Sequence, residues 1–355
     1  MLRTFLKRSF IVVFFVFISV VLMTNIAMAK SYRLRIQSVY PELSNGGMMA
    51  KTFADRINAE SNGQIRVKIY WPNQLVGVGE GYNAVSKGLV EGLYAGTIYY
   101  TGTVEEAKAE WLPMSWTSPE MAFDLYYNEG FMDYLRSVHK KHGAYCLATW
   151  FTGTMGFMTN FEVNSLADFK GKKIRAVTLD APVVKEMGGT PVALAGTEIY
   201  MGLQRKSIDG TIYPYYVLET YKLYEVVSSI VLPGVYSPNP TSLFINDGFY
   251  QSLPPDLQAL LEKVGKEVAA LSVSWSNQWD QDAFSCAEKR SVRIVTLSDS
   301  DLAKFTEMAR KTWDDVEMSA SPECKEGIQK VRDYLKRKQE IQPLPVSHKT
   351  EAAKP

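Results

Sequence analysis

Residues 32–71, YRLRIQSVYPELSNGGMMAKTFADRINAESNGQIRVKIYW, contain the pattern that determines the fold class. Over residues 64–71, apolar and polar side chains alternate, which predicts a half-buried β-strand, and residues 32–38 show a shorter version of the same alternation. Between these segments, apolar residues recur every four positions over residues 46–61, which predicts an amphipathic helix. A strand, a helix and a strand in this order predict an α/β fold with a largely parallel sheet.

A second run of the same kind begins near the middle of the chain. Residues 169–177 lead into a predicted strand, residues 181–187 follow as a helix, and residues 191–195 are again strand-like. Thr197 then caps a predicted helix that extends to Lys206. Because the two units share no fixed-period similarity, we expect two α/β domains rather than an internal repeat.

The last third of the chain has a mostly helical pattern. An apolar stripe over residues 254–290 predicts an unusually long helix that a pair of prolines opens. A strand over residues 292–297 and a capped helix over residues 298–318 follow it. A lysine-rich helix over residues 324–340 precedes a tail, residues 341–355, that we expect to be disordered.

The N-terminal segment, residues 1–29, has the three parts of a secretory signal peptide. It comprises a cationic start, an apolar run from Phe10 to Met23, and the small residues Ala27 and Ala29 at the positions that a signal peptidase reads. The apolar run is shorter than the ~20 residues that a helix needs to cross a bilayer. We therefore predict cleavage after Ala29 and export. An uncleaved N-terminal anchor is the alternative.

The charge balance argues against strongly charged partners. The chain of 355 residues carries 39 lysine and arginine residues against 38 aspartate and glutamate residues, a formal net charge of +1. This balance gives no support for a nucleic-acid partner or for binding to an acidic membrane surface. The length corresponds to one large domain or two ordinary ones.

Three cysteines are too few for a disulfide scaffold, and their spacing fits no zinc site. In an oxidising compartment, one disulfide with one free thiol is compatible with this number. Cys286 and Cys324 are then the expected pair, because both lie late in the chain near helical segments, and Cys146 is left over. Three separate buried thiols are the alternative.

Catalytic and cofactor motifs do not occur in the sequence. The patterns G-x-S-x-G and H-E-x-x-H, the P-loop and the EF-hand are all absent. The glycines of residues 77–81 fit a turn that enters a helix better than a phosphate loop. His139 and His142 lie one helical turn apart, and the lysines between them indicate a solvated helix face rather than a metal site. We therefore expect no enzyme activity, no cofactor and no metal.

Several segments, taken in order, resemble the substrate-binding proteins of tripartite ATP-independent periplasmic (TRAP) transporters, the dicarboxylate-binding-protein family. They span about residues 32 to 317, and the most specific is LADFKGKKIR at residues 166–175. The others, in chain order, are FADRINAESNGQIRV (53–67), YWPNQL (70–75), AVSKGLVEG (84–92), EIYMGLQ (198–204), DG (209–210), KLYEV (222–226) and LPPDLQ (253–258). A single segment of this kind is weak evidence for the family, whereas the whole set in this order is specific to it.

The resemblance implies a two-lobe periplasmic solute-binding fold of the α/β class. A ligand cleft lies between the lobes, and a long late helix bridges them. Lobe I is expected to comprise residues 30–152 plus 241–280, and lobe II residues 153–240 plus 281–340. The two α/β units and the long helix that the residues themselves predict agree with this architecture.

The resemblance also implies a function without chemistry on the ligand. The protein would capture an organic acid, a small-molecule carboxylate, in the periplasm and deliver it to the membrane permease subunits of a TRAP transporter. A sensory protein that presents its occupied form to a membrane receptor is the first alternative, and a secreted enzyme is the second. Because dimeric relatives use an extended C-terminal helix that this sequence replaces with a lysine- and proline-rich tail, we expect a monomer.

Arg175 is the residue that the resemblance assigns to the ligand carboxylate. In the family, the arginine that ends this Lys-Ile-Arg segment pairs with that group. A guanidinium suits the role, because it stays charged and presents a planar fork to two oxygens. The alternative is a surface arginine in a basic run that begins at Lys172.

Departures from the family pattern bear on the ligand. Met155 replaces a second arginine that many members carry, and Tyr213 replaces an asparagine in the segment DGTIYP. Gly196 occurs where a bulkier residue is common, and Gly96 where an acid can occur. These changes remove polar contacts, so a monocarboxylate with an apolar or aromatic body is expected rather than a sialic-acid-like or multiply charged ligand. The alternative is that Met155 and Tyr213 only fill core space.

Tyrosines at strand ends complete the predicted ligand-binding set. Tyr40, Tyr94 and Tyr236 end or follow predicted strands, where cleft residues of α/β sheets gather. A structural role is the alternative for each of them.

Overall fold

The computed structural model describes residues 31–338, which form two mixed sheets surrounded by helices. The predicted signal peptide and the predicted disordered tail lie outside these residues. The strands of the described part are β1 (Tyr32–Ser38), β2 (Ile65–Tyr70), β3 (Gly92–Ala95), β4 (Ala144–Phe151), β5 (Met155–Thr159), β6 (Lys173–Arg175), β7 (Thr190–Val192), β8 (Gly210–Pro214), β9 (Ser229–Tyr236), β10 (Pro240–Asn246) and β11 (Arg293–Thr296).

Helices cover the sheets and join their strands. Their bounds are α1 (Asn45–Glu60), α2 (Gly81–Ser86), α3 (Pro119–Tyr127), α4 (Phe131–Lys141), α5 (Asp180–Glu186), α6 (Ile199–Gln204), α7 (Val217–Thr220), α8 (Asp247–Gln251), α9 (Pro255–Lys289), α10 (Asp299–Ser319) and α11 (Pro322–Lys338). Short 3-10 turns lie between several of them, including Thr97–Tyr100 and Glu105–Glu110.

The first sheet has five strands in the order β2-β1-β3-β10-β4. β1 runs parallel to β2 and β3, as the strand–helix–strand pattern of the sequence predicts. β10 runs antiparallel to both β3 and β4, so the expectation of a largely parallel sheet is wrong for this half of the sheet. The reason is that β10 enters from the other sheet by a short connection instead of a helical crossover, which parallel strands require.

The second sheet has six strands in the order β11-β9-β5-β8-β6-β7. β6 is parallel to β7 and β8, and β11 is parallel to β9. β5 is antiparallel to its neighbours β8 and β9. The mixed α/β class with two sheets is confirmed, and each sheet contains antiparallel strands at the place where the chain crosses from one sheet to the other.

The chain passes between the sheets in two short segments and one long helix. Residues 152–154 connect β4 to β5, and residues 237–239 connect β9 to β10. The 35-residue helix α9 packs on β4 and α1 beside the first sheet, and on α7 and β11 beside the second. Asp280 of α9 accepts hydrogen bonds from Thr154 N at 2.8 Å and Thr154 Oγ1 at 2.5 Å, so the helix holds the first of these connections.

The five strands of the first sheet fall in the predicted lobe I. The one difference is that β10 starts at Pro240, one residue before the predicted boundary at residue 241. The strands of the second sheet all fall in the predicted lobe II. α11, which the prediction assigns to lobe II, packs against α4 and the turn Glu105–Glu110 of the first half. The lobe boundaries themselves stay a prediction.

The cysteine pairing expected from the sequence is wrong. Cys146, Cys286 and Cys324 are all free and buried, which matches the alternative of three separate thiols. They belong to β4, α9 and α11, so each thiol packs into the core at a different element. Burial raises the pKa of Cys324 to about 12 and lowers the reactivity of its thiol accordingly.

His139 does not lie on a solvated helix face. Its ring is fully buried, and Nδ1 is 2.7 Å from the hydroxyl oxygen of Tyr82. Burial lowers the pKa of His139 to about 3, so the ring is neutral. His142 remains partly exposed, 3.3 Å from Glu106 Oε2. The amphipathic helix turns only one of the two histidines outward.

Across residues 31–338, no helix is both long enough and apolar enough to span a bilayer. In the same residues, no group of three or more histidine, cysteine, aspartate or glutamate side chains is arranged to hold a metal ion.

Candidate ligand-binding site

A small cavity lies between the two sheets where the connecting segments cross. The empty space between its walls, including space open to solvent, is about 280 Å³, and both halves of the molecule contribute to the walls. The lining residues are Tyr40, Gly96, Ile98, Tyr99, Trp111, Met155, Arg175, Val177, Tyr213, Pro214 and Asn239. The walls are therefore mainly aromatic and apolar, with one arginine and one asparagine among them, which is the composition of a small-molecule site.

Arg175 ends β6 and is the only cationic residue in this lining, with 1% of its surface exposed. Its guanidinium donates from Nε to Leu194 O and from Nη1 to Ile212 O, both at 3.0 Å. Nη2 donates to the hydroxyl oxygen of Tyr99 at 3.3 Å. Because a guanidinium has five N–H donors, one donor on each terminal nitrogen is left. The three bonds fix the orientation of the side chain.

The charge of Arg175 has no ion-pair partner among the described residues. An acid that interacts electrostatically with it is Asp180, a buried residue at the start of α5. Burial raises the pKa of Asp180 to about 6, and the positive charge of Arg175 only partly opposes this effect. A buried cation without a directly bound anion is costly, and an anionic ligand removes that cost.

Tyr213 and Gly196 form one steric unit beside the guanidinium. The ring of Tyr213 lies 5.0 Å from Arg175 Cζ, in the range of a cation–π contact. A Cβ atom on Gly196 would lie 2.1 Å from the hydroxyl oxygen of Tyr213, so the tyrosine occupies the space of the missing side chain. The two departures from the family pattern are therefore linked: the glycine makes room for the tyrosine.

Met155 and Tyr40 also line the cavity. Met155 begins β5 and is 3% exposed, and Tyr40 follows β1 and is 4% exposed. A Cβ atom on Gly96 would lie 3.2 Å from the ring of Trp111 and 3.4 Å from the hydroxyl oxygen of Tyr40, so Gly96 lies in close contact with both side chains. Met155 contributes an apolar surface to the wall of the cavity.

Tyr94 and Tyr236 are buried behind the cavity and do not line it. The hydroxyl group of Tyr94 is 2.9 Å from Thr241 Oγ1, and its ring packs on Tyr40. The hydroxyl group of Tyr236 donates to Asp180 Oδ1 at 2.9 Å. Both residues support the side chains that face the cavity, which corresponds to the structural alternative given above.

Six lining residues were not singled out from the sequence, and three of them, Tyr99, Trp111 and Asn239, have polar groups. Tyr99 belongs to the 3-10 turn Thr97–Tyr100, Trp111 follows the turn Glu105–Glu110, and Asn239 lies in the connection from β9 to β10. None of them follows a periodic pattern. The stretch SPNP at residues 237–240 reads as an ordinary turn, so only its position next to the crossover reveals Asn239.

A chain of hydrogen bonds supports Trp111 from behind. Its Nε1 donates to Thr97 Oγ1 at 2.7 Å, and the threonine hydroxyl donates to Glu110 Oε2 at 2.8 Å. Tyr126 donates to the other oxygen of Glu110 at 3.0 Å. Burial raises the pKa of Glu110 to about 7. The indole ring is thus held in a fixed position by a buried polar network.

Contacts across the cavity join the two halves. Thr178 Oγ1 donates to Ile98 O at 2.9 Å, and Arg175 reaches Tyr99 from the other side. Most of the lining residues on both halves are nearly fully buried, whereas Tyr99 and Val177 are partly exposed, so the molecule is largely closed around the cavity.

Comparisons with known proteins identify the family of this chain. The family model described as bacterial extracellular solute-binding protein, family 7 (DctP) matches residues 36–319. A solute-binding protein of Albidiferax ferrireducens is 24% identical over 301 residues, which cover 82% of this chain and 88% of the relative. A monocarboxylate 2-oxoacid-binding periplasmic protein of Nostoc sp. is 26% identical over 256 residues, which cover 70% of this chain and 68% of the relative.

A solved structure has the same fold. It is a TRAP periplasmic solute-binding protein from Desulfovibrio salexigens with bound orotic acid, and it matches with a TM-score of 0.80 at 23% identity. The match covers 86% of this chain and 99% of that protein.

Proposed function

Because this chain belongs to family 7 of the bacterial extracellular solute-binding proteins, we propose that it captures an organic acid and delivers it to the membrane permease of a TRAP transporter. The family consists of solute-binding receptors, and the proposed role includes no chemistry on the ligand. The ligand is a monocarboxylate that binds in the cavity between the two sheets.

The observation that carries this proposal is the buried, unpaired guanidinium of Arg175. It faces a cavity, and its two remaining N–H groups match the two oxygens of a carboxylate. In a site that excludes water, such a pair is stronger than at the surface. The ligand carboxylate then supplies the anion that no described side chain supplies.

The remaining predicted residues define the body of the ligand. Tyr213, Met155 and Tyr40 form apolar walls, and Gly196 acts by leaving space for Tyr213. Such walls favour an apolar or aromatic body over a multiply charged one. Two similar proteins support an acid of this kind, since one is named for monocarboxylate 2-oxoacids and the other contains orotic acid.

Tyr94 and Tyr236 act as supports in this proposal rather than as ligand contacts. Tyr94 holds the ring of Tyr40, and Tyr236 holds the carboxyl group of Asp180 close to Arg175. Positioning of this kind keeps the ligand-facing groups in one geometry, which lowers the entropic cost of binding.

The proposal includes export and a monomeric state. The signal peptide, residues 1–29, is cleaved after Ala29, and the mature protein works in the periplasm with the permease as its partner. The mature chain then sediments at about 36 kDa, taking ~110 Da per residue. A species of about 72 kDa would contradict the monomer, and an N-terminal sequence that begins before Lys30 would contradict the cleavage site.

A thermal-shift screen of organic acids on the purified mature protein tests the function. We expect the melting temperature to rise with a monocarboxylate that has an apolar or aromatic body, and to rise less with dicarboxylates and sialic acid. The best acid is then measured by calorimetry and recovered for mass spectrometry. Recovery of a chemically changed ligand would favour an enzyme, and the absence of any carboxylate that binds would contradict the proposed function.

Closure between lobes gives a second test. The proposed lobes are residues 30–152 plus 241–280 and residues 153–240 plus 281–340, with the cavity between them. Ligand stabilises the closed state through its higher affinity for that state. Scattering on apo and saturated protein should give a smaller radius of gyration with ligand, and an unchanged radius would argue against closure.

A further inference from the structure

Asn239 is held rigidly at the crossing of the two sheets. It is 3% exposed and lies in the connection between β9 and β10. Its backbone N–H donates to Gly153 O at 2.8 Å, and its carbonyl oxygen accepts from Thr152 N at 3.0 Å. The two connecting segments thereby fix each other, so the side chain of Asn239 has a defined direction.

The side-chain amide of Asn239 is only half satisfied. Nδ2 donates to Thr152 Oγ1 at 2.6 Å. The hydroxyl group of Thr152 in turn donates to the backbone oxygen of Asn239 at 3.3 Å, which leaves its lone pairs to accept from Nδ2. Oδ1 is buried and has no hydrogen-bond partner among the described residues. A buried acceptor without a donor is rare in a folded protein and costs free energy.

The unsatisfied oxygen belongs to a residue that lines the cavity. The backbone N–H and carbonyl oxygen of Asn239 are used by Gly153 and Thr152, and Nδ2 uses one of its two N–H groups on Thr152. Oδ1 is therefore the polar atom of this lining residue that has no partner at all among the described residues. Arg175 offers donors in the same cavity, whereas Asn239 offers an acceptor. The aromatic rings of Tyr40, Trp111 and Tyr213 provide the remaining walls.

We propose that Asn239 is a specificity residue: its Oδ1 accepts a hydrogen bond from an N–H or O–H group of the ligand whose carboxylate Arg175 binds. This inference rests on the proposed function and narrows its ligand class. The ligand is a ring monocarboxylate that carries a hydrogen-bond donor. Rings suit the aromatic walls because flat faces pack on them with little loss of conformational entropy.

The donor requirement gives discrimination between similar acids. An acid of the same shape without the donor leaves Oδ1 unpaired, and an acid with an acceptor at that place adds repulsion between two oxygens. Sites that hydrogen-bond a ligand group reject analogues that lack it more strongly than apolar pockets reject a missing methylene. An effect of about 10-fold or more in dissociation constant is expected for one such bond.

Calorimetry with two matched pairs of acids tests the inference on the wild-type protein. Pyrrole-2-carboxylate is compared with furan-2-carboxylate, and pyrrole-3-carboxylate with furan-3-carboxylate. Each pair has nearly the same shape, but the pyrrole ring has an N–H donor where the furan ring has an acceptor oxygen. We expect at least one pyrrole acid to bind about 10-fold or more tightly than its furan counterpart.

Replacing Asn239 then tests whether this residue causes the preference for pyrrole acids over furan acids. Asn239→Leu has a similar volume and no acceptor, so pyrrole acids lose the hydrogen bond and furan acids lose the repulsion between two oxygens. The ratio of affinities within a pair should therefore fall to about 1. The matched control is Asn277→Leu on the exposed face of α9, which should keep the pyrrole preference. If Asn239→Leu does not fold, the wild-type ratio of each pair decides the question.

Several results would overturn the inference. Equal affinities within both pairs would mean that Oδ1 makes no bond to the ligand, as when a water molecule satisfies it. A furan preference would mean that the amide presents Nδ2 to the cavity. Failure of all four acids to bind would overturn the ring-acid class. The proposed function fails separately, when no carboxylate in the thermal-shift screen binds in a manner that depends on Arg175.

Discussion

Two concave regions of this protein differ in size and in the state of their charged groups. The empty space between the walls, including space open to solvent, is about 280 Å³ for the cavity between the sheets and about 1230 Å³ for a groove between α10, α11 and residues 113–117. Judged by size alone, the groove is the better candidate for a ligand site. Judged by whether its charged groups already have partners, the smaller cavity is the better candidate.

The arginines of the groove are already paired. Arg332 lies 3.1 Å from Asp314 Oδ1 and 2.9 Å from Glu317 Oε2, and its Cζ is 5.1 Å from the ring of Trp313. Its side chain is 36% exposed, so water also solvates the charge. Arg175 is 1% exposed and has no such partner among residues 31–338. A charge that the protein has buried and left unpaired therefore identifies a ligand site better than volume does.

The largest expected effect on ligand affinity comes from replacing Arg175, and the same replacement of Arg332 in the groove is its control. Arg175→Lys keeps the positive charge but loses the planar fork, so binding of the best monocarboxylate should weaken by roughly 1.5–3 kcal/mol, about 10- to 150-fold. Arg332→Lys makes the same chemical change in the groove and should leave the affinity unchanged. Calorimetry on both variants measures the difference. Wild-type affinity in Arg175→Lys would remove the carboxylate anchor, and a loss in Arg332→Lys would move the site to the groove.

A second difference concerns carboxyl groups and pH. Burial raises the pKa of Glu110, behind the cavity, from 4.5 to about 7, so the folded protein keeps a proton that the unfolded chain releases near pH 4.5. Stability must therefore fall as pH rises through this window and then level off above about pH 7. At 1.36 kcal/mol per pKa unit, Glu110 accounts for up to about 3 kcal/mol.

Urea unfolding at pH 5, 6 and 7.5 measures this dependence. Glu110→Gln has nothing to ionise, so it should flatten the loss of stability between pH 5 and pH 7.5. Asp180 and Asp280, whose pKa values burial raises to about 6, leave part of the slope in place with the same sign. Asp314→Asn in the groove removes an exposed carboxylate and should change the pH dependence little. A slope in Glu110→Gln as steep as in wild type would show that Glu110 is not the group responsible.

Sequence patterns predicted the elements that local physics determines. The alternation of apolar and polar residues over residues 64–71 predicted β2, and apolar residues three or four positions apart predicted α1 and α9. These patterns are local because each element has to bury one of its own faces. The antiparallel strands β5 and β10 were not predicted, since their direction depends on where the chain crosses between the sheets. The family resemblance, and not periodicity, led to Arg175.

The site itself was predictable only in part. Arg175, Tyr213, Met155 and Tyr40 line the cavity, but their order in the sequence says nothing about the steric pairing of Tyr213 with Gly196. Asn239, Tyr99 and Trp111 come from turns and connections without a periodic signal. Whether such residues face a ligand depends on how two distant segments meet, and one sequence does not contain that information.

The smallest predicted effect concerns the contact between Gly196 and Tyr213 in the wall of the cavity. In Gly196→Ala, the new methyl group would lie 2.1 Å from the hydroxyl oxygen and 2.7 Å from Cζ of Tyr213, so the ring must shift from its present position beside Arg175. Overpacking of this kind costs on the order of 1–3 kcal/mol, and we expect binding of an aromatic monocarboxylate to weaken by about 10-fold. Gly102→Ala, where a Cβ meets nothing within 4 Å, is the matched control and should bind as wild type.

A double-mutant cycle decides whether the clash with Tyr213 causes this loss. Tyr213→Asn alone should lower affinity for aromatic or branched acids more than for small polar acids, because it replaces a broad ring by a compact amide. In that background Gly196→Ala has no ring to displace, so its effect should vanish, and the two changes should be strongly non-additive. Additive losses would mean that Gly196 acts on the ligand directly. An equal loss for all acids in Tyr213→Asn would leave Arg175 as the anchor but contradict the aromatic wall around it.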